Sequence, residues 1–174
     1  MILIICTTNR KSSKSYQVAL YYQALFADNA MEVEICSLEN LPQDFAFSAL
    51  YENNGQHPIF NQYKATIAAA QKILFIVPEY NGSFPGVLKT FIDGLGWPNE
   101  LNGKKAALTG ISDGVLGGAF ALSHLTDILN YLGCNVFSTL VRIPFMKKNF
   151  IDGQIQDNFI TKLTDVQVKG FINF

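Results

Sequence analysis

Short apolar runs alternate along the chain with stretches of helical periodicity. Residues 2–6 (ILIIC) and 72–77 (KILFIV) are nearly continuous in apolar character, the pattern of strands covered on both faces. Residues 104–112 (KKAALTGIS) and 135–141 (NVFSTLV) read as further strands. Residues 32–38 (EVEICSL) alternate, with Val33 and Ile35 on one face. Between these runs the period changes. Val18, Ala19, Tyr22, Leu25 and Phe26 recur at helical spacing, with Ser13 or Ser15 placed to cap the start. A helix is predicted over about 60–70. A shorter one carries Val87, Leu88, Phe91, Ile92 and Leu95 and is ended by Gly96, Trp97 and Pro98. Leu122, Leu125, Leu129 and Leu132 line another, which stops at Gly133. Ile155, Phe159, Leu163 and Val166 mark the last. Residues 39–57 have no clear period. Pro42 and Asn53-Asn54-Gly55 punctuate a loop that Phe45, Phe47, Leu50 and Tyr51 would pack onto the body, or turn toward a pocket or a second copy.

The order is βαβαβαβαβα, which builds an α/β fold with a parallel sheet between two layers of helices. Five strands suit the flavodoxin-like three-layer sandwich, strand order 2-1-3-4-5, in a single domain over residues 1–174. Ligands in such sheets bind outside the carboxyl ends of the strands, where strand order reverses between strands 1 and 3. The unusual residues should therefore lie in the loops after strands 1, 3 and 4.

They do. After strand 1, residues 7–15 (TTNRKSSKS) offer five hydroxyls and three cations before a helix start. Free amides, the helix dipole and a guanidinium suit a phosphate there. After strand 3 comes PEYNGSFPG, residues 78–86. Pro78 ends the ladder, Asn81 and Gly82 permit a tight turn, and Pro85 opens a helix. The amides of Asn81, Gly82 and Ser83 beside the Tyr80 ring would suit the edge and face of a planar heterocycle. After strand 4, SDGVLGG (112–118) presents Ser112, Asp113 and glycines at 114, 117 and 118. Glycines at a helix start cost stability relative to alanine, which points either to close backbone approach or to a merely flexible connector. A phosphate at one end and a flat ring at the other describe a mononucleotide, with FMN first among candidates.

Composition narrows the classes further. The 174 residues are 49% hydrophobic and 16% charged, with a formal net charge of -1, so no broad surface attracts nucleic acid or an anionic membrane. No apolar stretch is long enough to span a membrane. The N-terminal run lacks a basic flank and reads as a strand, which leads to the expectation of a cytoplasmic protein. Cys6, Cys36 and Cys134 form no CxxC and sit in apolar segments as small hydrophobes. His57 and His124 have no cysteine partner nearby, so no zinc site is expected. Walker, GxSxG and GxGxxG motifs are absent.

Residues 78–93, PEYNGSFPGVLKTFID, resemble the PEYNxSxPGxLKNxIDW signature of the NAD(P)H-dependent FMN reductase family, and residues 7–15 resemble its GTNRxxSxS loop. The resemblance extends to element order along the whole chain. It implies that Thr8, Arg10, Ser13 and Ser15 hold the FMN phosphate. It places Glu79, Tyr80, Asn81, Gly82 and Ser83 along the flavin, with Ser112, Asp113, Gly114 and Gly117 approaching from the other side. It also implies hydride transfer from NADPH or NADH to flavin, a small-molecule acceptor (a quinone, an azo compound, a metal ion or free flavin), a homodimer, and no catalytic side chain of the acid–base kind. Three positions depart from the pattern: Thr7 for glycine, Thr90 for asparagine, and Phe120 for an arginine. A positive φ at position 7 would strain a β-branched residue. Two alternatives follow from these features. A flavodoxin-type electron carrier would usually be more acidic, and a binding module without flavin would fit the changes at Thr7 and Phe120.

Overall fold

The computed structural model describes all 174 residues. The elements are β1 (Ile2–Cys6), α1 (Lys14–Asp28), β2 (Val33–Ser37), α2 (Phe45–Ser48), α3 (Pro58–Ala69), β3 (Lys72–Pro78), α4 (Gly86–Gly94) and β4 (Lys105–Ile111). They continue with α5 (Ala119–Tyr131), β5 (Asn135–Val136), β6 (Val141–Ile143), α6 (Met146–Asn149), β7 (Phe150–Ile151), β8 (Gln154–Ile155) and α7 (Asn158–Asn173). The main sheet is parallel in the order β2-β1-β3-β4-β5, as the alternation of elements predicts, with β6 also paired to β4. Ile4 lies between Ile35 and Leu74, and Leu74 in turn faces Ala107.

Because side chains alternate across a strand, the continuous apolar runs feed two cores. Leu3, Ile5, Phe75, Val77 and Leu108 face one side, where Phe60, Phe91, Leu122 and Leu125 of α3, α4 and α5 cover them. Ile2, Ile4, Cys6, Ile76 and Ala107 face the other, under Tyr22, Phe26, Val168 and Phe171 of α1 and α7. At the amino end of the sheet, lysines tie down helix C-termini. Lys72 Nζ donates to the carbonyls of Phe171 and Ile172 at 3.0 and 2.6 Å, and Lys104 Nζ to those of Ala68 and Ala70. A cation on the last carbonyls offsets the helix dipole.

Three expectations need correction. The fifth strand is not continuous over 135–141. It pairs with β4 at Asn135–Val136, leaves the ladder, and pairs again at Val141–Ile143. In the gap the Thr139 carbonyl accepts from Gln167 Nε2 at 2.8 Å, and the Phe137 ring packs on Phe171 and Phe174. A side-chain amide and an aromatic cluster replace the missing ladder bonds. The last helix does not begin near Ile155, which belongs to the β7–β8 hairpin. Nor does it bury the predicted stripe: Phe159 and Val166 are exposed, and Ile160, Thr164, Gln167, Val168 and Phe171 face inward. The polar members of that face bond inside the core. Tyr22 Oη donates to Gln167 Oε1 at 2.6 Å, Thr109 Oγ1 donates to the same oxygen at 3.0 Å, and Gln167 Nε2 reaches the Leu108 carbonyl at 2.9 Å. Finally, residues 39–57 fold into α2 and two short 3-10 turns rather than an irregular loop. Phe45 and Leu50 are buried as anchors, but Phe47 and Tyr51 are 85% and 81% exposed and anchor nothing.

No helix is long and apolar enough to cross a membrane. The three cysteines are free and buried. Burial pushes the Cys6 and Cys36 thiols up to about 12 and the Cys134 thiol up to about 11. Thiolate is the reactive form. All three should therefore stay silent toward a thiol reagent in the native protein at pH 8 and react stoichiometrically once it is unfolded; rapid labelling of the native chain would contradict this burial. Gln167→Ala leaves Tyr22, Thr109 and two carbonyls without their buried partner, and should cost about 3 kcal/mol in denaturant unfolding.

Candidate active site

The three loops meet at the carboxyl end of the sheet around a cavity of about 410 Å³. The β1 loop forms one wall. Thr7, expected to be strained if its φ were positive, is not among the positive-φ residues. It continues the strand instead: its N–H and its Oγ1 both donate to the Ile76 carbonyl, at 3.3 and 2.9 Å. The left-handed residue is Ser12, at φ 50°. Ser13 then caps α1, its Oγ accepting from Tyr16 N at 3.2 Å. Two residues on, in the first turn, Ser15 is 1% exposed and its Oγ has no hydrogen-bond partner. Buried hydroxyls are almost always paired. This one lines the cavity beside Arg10, Lys11 and Lys14, at the N-terminus of a 15-residue helix. A phosphate oxygen satisfies that set: a hydroxyl donor, free helix amides and cations.

The β3 loop forms the second wall as a tight hairpin turn. Tyr80 N donates to the Ser83 carbonyl at 2.7 Å and Ser83 N returns to the Tyr80 carbonyl at 3.1 Å. Between them Asn81 and Gly82 both have positive φ, 50° and 75°, the two-residue pattern that Asn-Gly favours. The Ser83 amide is therefore committed to the turn and is not a free donor, contrary to the sequence expectation. The turn is tied on three sides. Tyr80 Oη lies 2.9 Å from Thr8 Oγ1, which also accepts from Arg10 N at 3.2 Å. Ser83 Oγ pairs with His124 Nδ1 on α5 at 2.9 Å. Glu79 Oε2 accepts from Gly118 N at 3.1 Å, so this carboxylate caps α5 from another loop, where the helix dipole favours it.

The β4 loop closes the third side. Ser112 Oγ donates to the Gly114 carbonyl at 3.1 Å. Asp113 accepts from Lys147 N at 3.3 Å and has Lys147 Nζ at 3.5 Å. The close approach that the glycines imply is real, but it is to the protein itself. A Cβ on Gly117 would meet Arg142 Cβ and Pro144 N at 3.0 Å, and one on Gly118 would meet Gly110 Cα at 3.2 Å.

Of the residues proposed from sequence, Thr8, Arg10, Ser13, Ser15, Glu79, Tyr80, Ser112 and Asp113 line the one cavity. Asn81, Gly82, Ser83, Gly114 and Gly117 lie outside its wall. Asn81, Gly82 and Gly114 are exposed, Ser83 is half-buried, and Gly117 is buried against the β6 end. Phe120 is exposed on α5, and Thr90 Oγ1 bonds back to the Gly86 carbonyl within α4. Sequence reasoning missed Met146 and Lys147, which reach the cavity from α6, and His124, which holds Ser83. Their signal is faint: a Lys-Lys pair after the broken fifth strand, and one histidine on an apolar helix.

The chain is similar to known proteins in both sequence and fold. A family model for NADPH-dependent FMN reductases matches residues 1–146. An NAD(P)H-dependent FMN reductase of Pseudomonas aeruginosa is 35% identical over 91% of this chain and 86% of its own length. A 2-hydroxy-1,4-benzoquinone reductase from Burkholderia is 36% identical over 52% of this chain; the match spans 57% of that relative. Among solved structures, the flavoenzyme NAD(P)H:(acceptor) oxidoreductase of Paracoccus denitrificans superposes with a TM-score of 0.75 at 25% identity, over 99% of this chain and 94% of its own. With a family model matching residues 1–146 and a relative 35% identical over 91% of its length, the chain belongs to the NADPH-dependent FMN reductase family.

Proposed function

We propose that this protein binds FMN across the β1, β3 and β4 loops and is an NAD(P)H-dependent oxidoreductase that passes electrons to a small acceptor, a quinone first among them. The Ser15 hydroxyl carries the reading: buried, unpartnered, and in the wall of a cavity lined by Arg10 at the head of α1. The quinone preference draws support from relatives named as quinone reductases, in Escherichia coli among other bacteria. When bound, FMN supplies the ring that accepts hydride and releases electrons.

The chain's own residues do the rest. Arg10, the Ser13 and Ser15 hydroxyls and the first amides of α1 hold the phosphate. Thr8 and Tyr80 join the phosphate end to the ring end through their hydroxyls. The free amides of Asn81 and Gly82 present donors to the polar edge of the ring, where they would stabilise negative charge. Glu79 is held by Gly118 and acts as a structural acceptor, not as a base. This reading assigns no side chain the role of an acid–base catalyst.

A second copy would cover part of this surface. Phe47, Tyr51 and Trp97 are 85%, 81% and 77% exposed on adjoining segments, joined where Asn54 Nδ2 donates to the Gly94 carbonyl. Such aromatic exposure suits a homodimer contact. Light scattering at micromolar concentration should give twice the 19.3 kDa chain mass; a monomer would exclude this contact. We infer a cytoplasmic location as part of the same reading.

The decisive test is anaerobic. Protein loaded with FMN and freed of excess should bleach on addition of NADPH. Bound flavin that does not bleach would indicate an electron carrier, and failure to bind FMN would overturn the reading. Ser15→Ala and Arg10→Ala should each weaken FMN roughly 10- to 100-fold, as expected for losing a hydrogen bond to a charged group. Riboflavin, which has no phosphate, should bind these variants as it binds the parent.

A further inference from the structure

Around the cavity there is more positive charge than one phosphate requires, once Lys148 of the adjoining concavity is counted. Arg10, Lys11, Lys14 and Lys147 line it, against Glu79 and Asp113. Both carboxylates already have donors, Gly118 N for Glu79 and Lys147 for Asp113. Next to it, sharing Asp113 and Lys147, is a second concavity of about 420 Å³ whose other walls are Phe145 and Lys148. A phosphate monoester such as that of FMN brings roughly -1.5 to -2 charges near neutral pH. Lys147 is paired with Asp113, which leaves the Lys148 ammonium free to meet another anion.

Phe145 points to what that anion is attached to. Its backbone is left-handed, φ 49° and ψ 53°, a region that a bulky residue with a Cβ enters only when its surroundings impose it. The surroundings do. Phe145 N donates to the Gly114 carbonyl at 3.4 Å, and its own carbonyl accepts from Lys148 N and Asn149 N at 2.8 and 2.9 Å. Asn149 Nδ2 secures the preceding Pro144 carbonyl at 2.9 Å. Yet the ring so fixed is not packed away: Phe145 remains 45% exposed. Strained residues of this kind cluster at ligand clamps. An exposed aromatic ring in a concavity it shares with Lys148 offers a stacking face for a purine and a cation for its phosphate.

We propose that Phe145, Lys147 and Lys148 form the subsite for the adenosine 2′-phosphate end of the reduced dinucleotide. The ring takes the adenine face and the Lys148 ammonium takes the 2′-phosphate, with Lys147 holding Asp113 away from it, so this corner of the β6–α6 turn sets a preference for NADPH over NADH. The assignment rests on the donor chemistry proposed above.

The test uses two fragments, 2′-phospho-ADP-ribose and ADP-ribose, titrated calorimetrically into the full chain with and without FMN. The parent should bind the 2′-phosphorylated fragment about 10-fold tighter. Lys148→Ala should abolish that ratio and raise the KM for NADPH to that for NADH, with FMN affinity unchanged, because Lys148 lies outside the FMN cavity. Phe145→Asn, which keeps a residue tolerant of the left-handed region, should weaken both fragments alike. Equal affinity of the parent for the two fragments, or a ratio that survives Lys148→Ala, would overturn the subsite. A chain that takes no FMN but shows the Lys148-dependent ratio would sink the flavin reading and leave the subsite standing. FMN binding without the ratio would do the reverse.

Discussion

Between β4 and the start of α5, two stretches of backbone lie so close that a methyl group on Gly110 would sit 2.5 Å from the Gly117 carbonyl oxygen. This contact fixes where α5 begins. Gly118 turns into the helix at φ 85° with its Cβ position against Gly110. Its amide is then placed for the Glu79 carboxylate, and one and a half turns along the helix His124 is placed for Ser83. The β3 and β4 loops, which look like independent connectors, are thus referred to one common helix.

The consequence is a site assembled from loops but braced like a scaffold element. The β1 loop joins the β3 loop through Thr8 and Tyr80, the β3 loop joins α5 at both of its ends, and the β4 loop joins α6 through Asp113 and Lys147. Each tie is a single hydrogen bond or a partly exposed ion pair, of modest strength taken alone. Together they leave the turn at Asn81–Gly82 few ways to move. A ring binding there meets donors already in place, which is how a protein stabilises charge without reorganising as it develops.

What was legible in the sequence follows from which interactions leave a pattern. Strands β1 and β3 are buried on both faces and show as unbroken apolar runs; the cap is Ser13, one of the two serines the pattern offers, and the stop at Gly133 follows a local rule. The motif after β3 located the turn because Asn-Gly and the two prolines constrain backbone directly. The C-terminal third was less legible. In α7, Phe159, Leu163 and Val166 make one helical stripe and Ile160, Val168 and Phe171 another, and hydrophobicity cannot choose between them. The choice is made by Gln167, a polar residue whose inward position depends on Tyr22 and Thr109, far away in the chain. The same glutamine takes the Thr139 carbonyl and breaks the last strand. In the β4 loop the glycines were seen, but the partner they approach is the protein's own β6 turn, which no local pattern records.

That broken strand also bears on how the molecule behaves in a crowd. The outer side of a parallel sheet is a row of unpaired amides and carbonyls that another chain can extend. Here the outermost position offers only Asn135–Val136 and then Val141–Ile143, with a bent segment and an inward-turned Phe137 between them. A passing strand would find two short footholds out of line with each other. At the opposite border, β2 displays the carboxylate of Glu34 in mid-strand. The glutamine that orders the core thus also helps keep the sheet finite, so that the chain can remain a discrete particle instead of seeding a fibre.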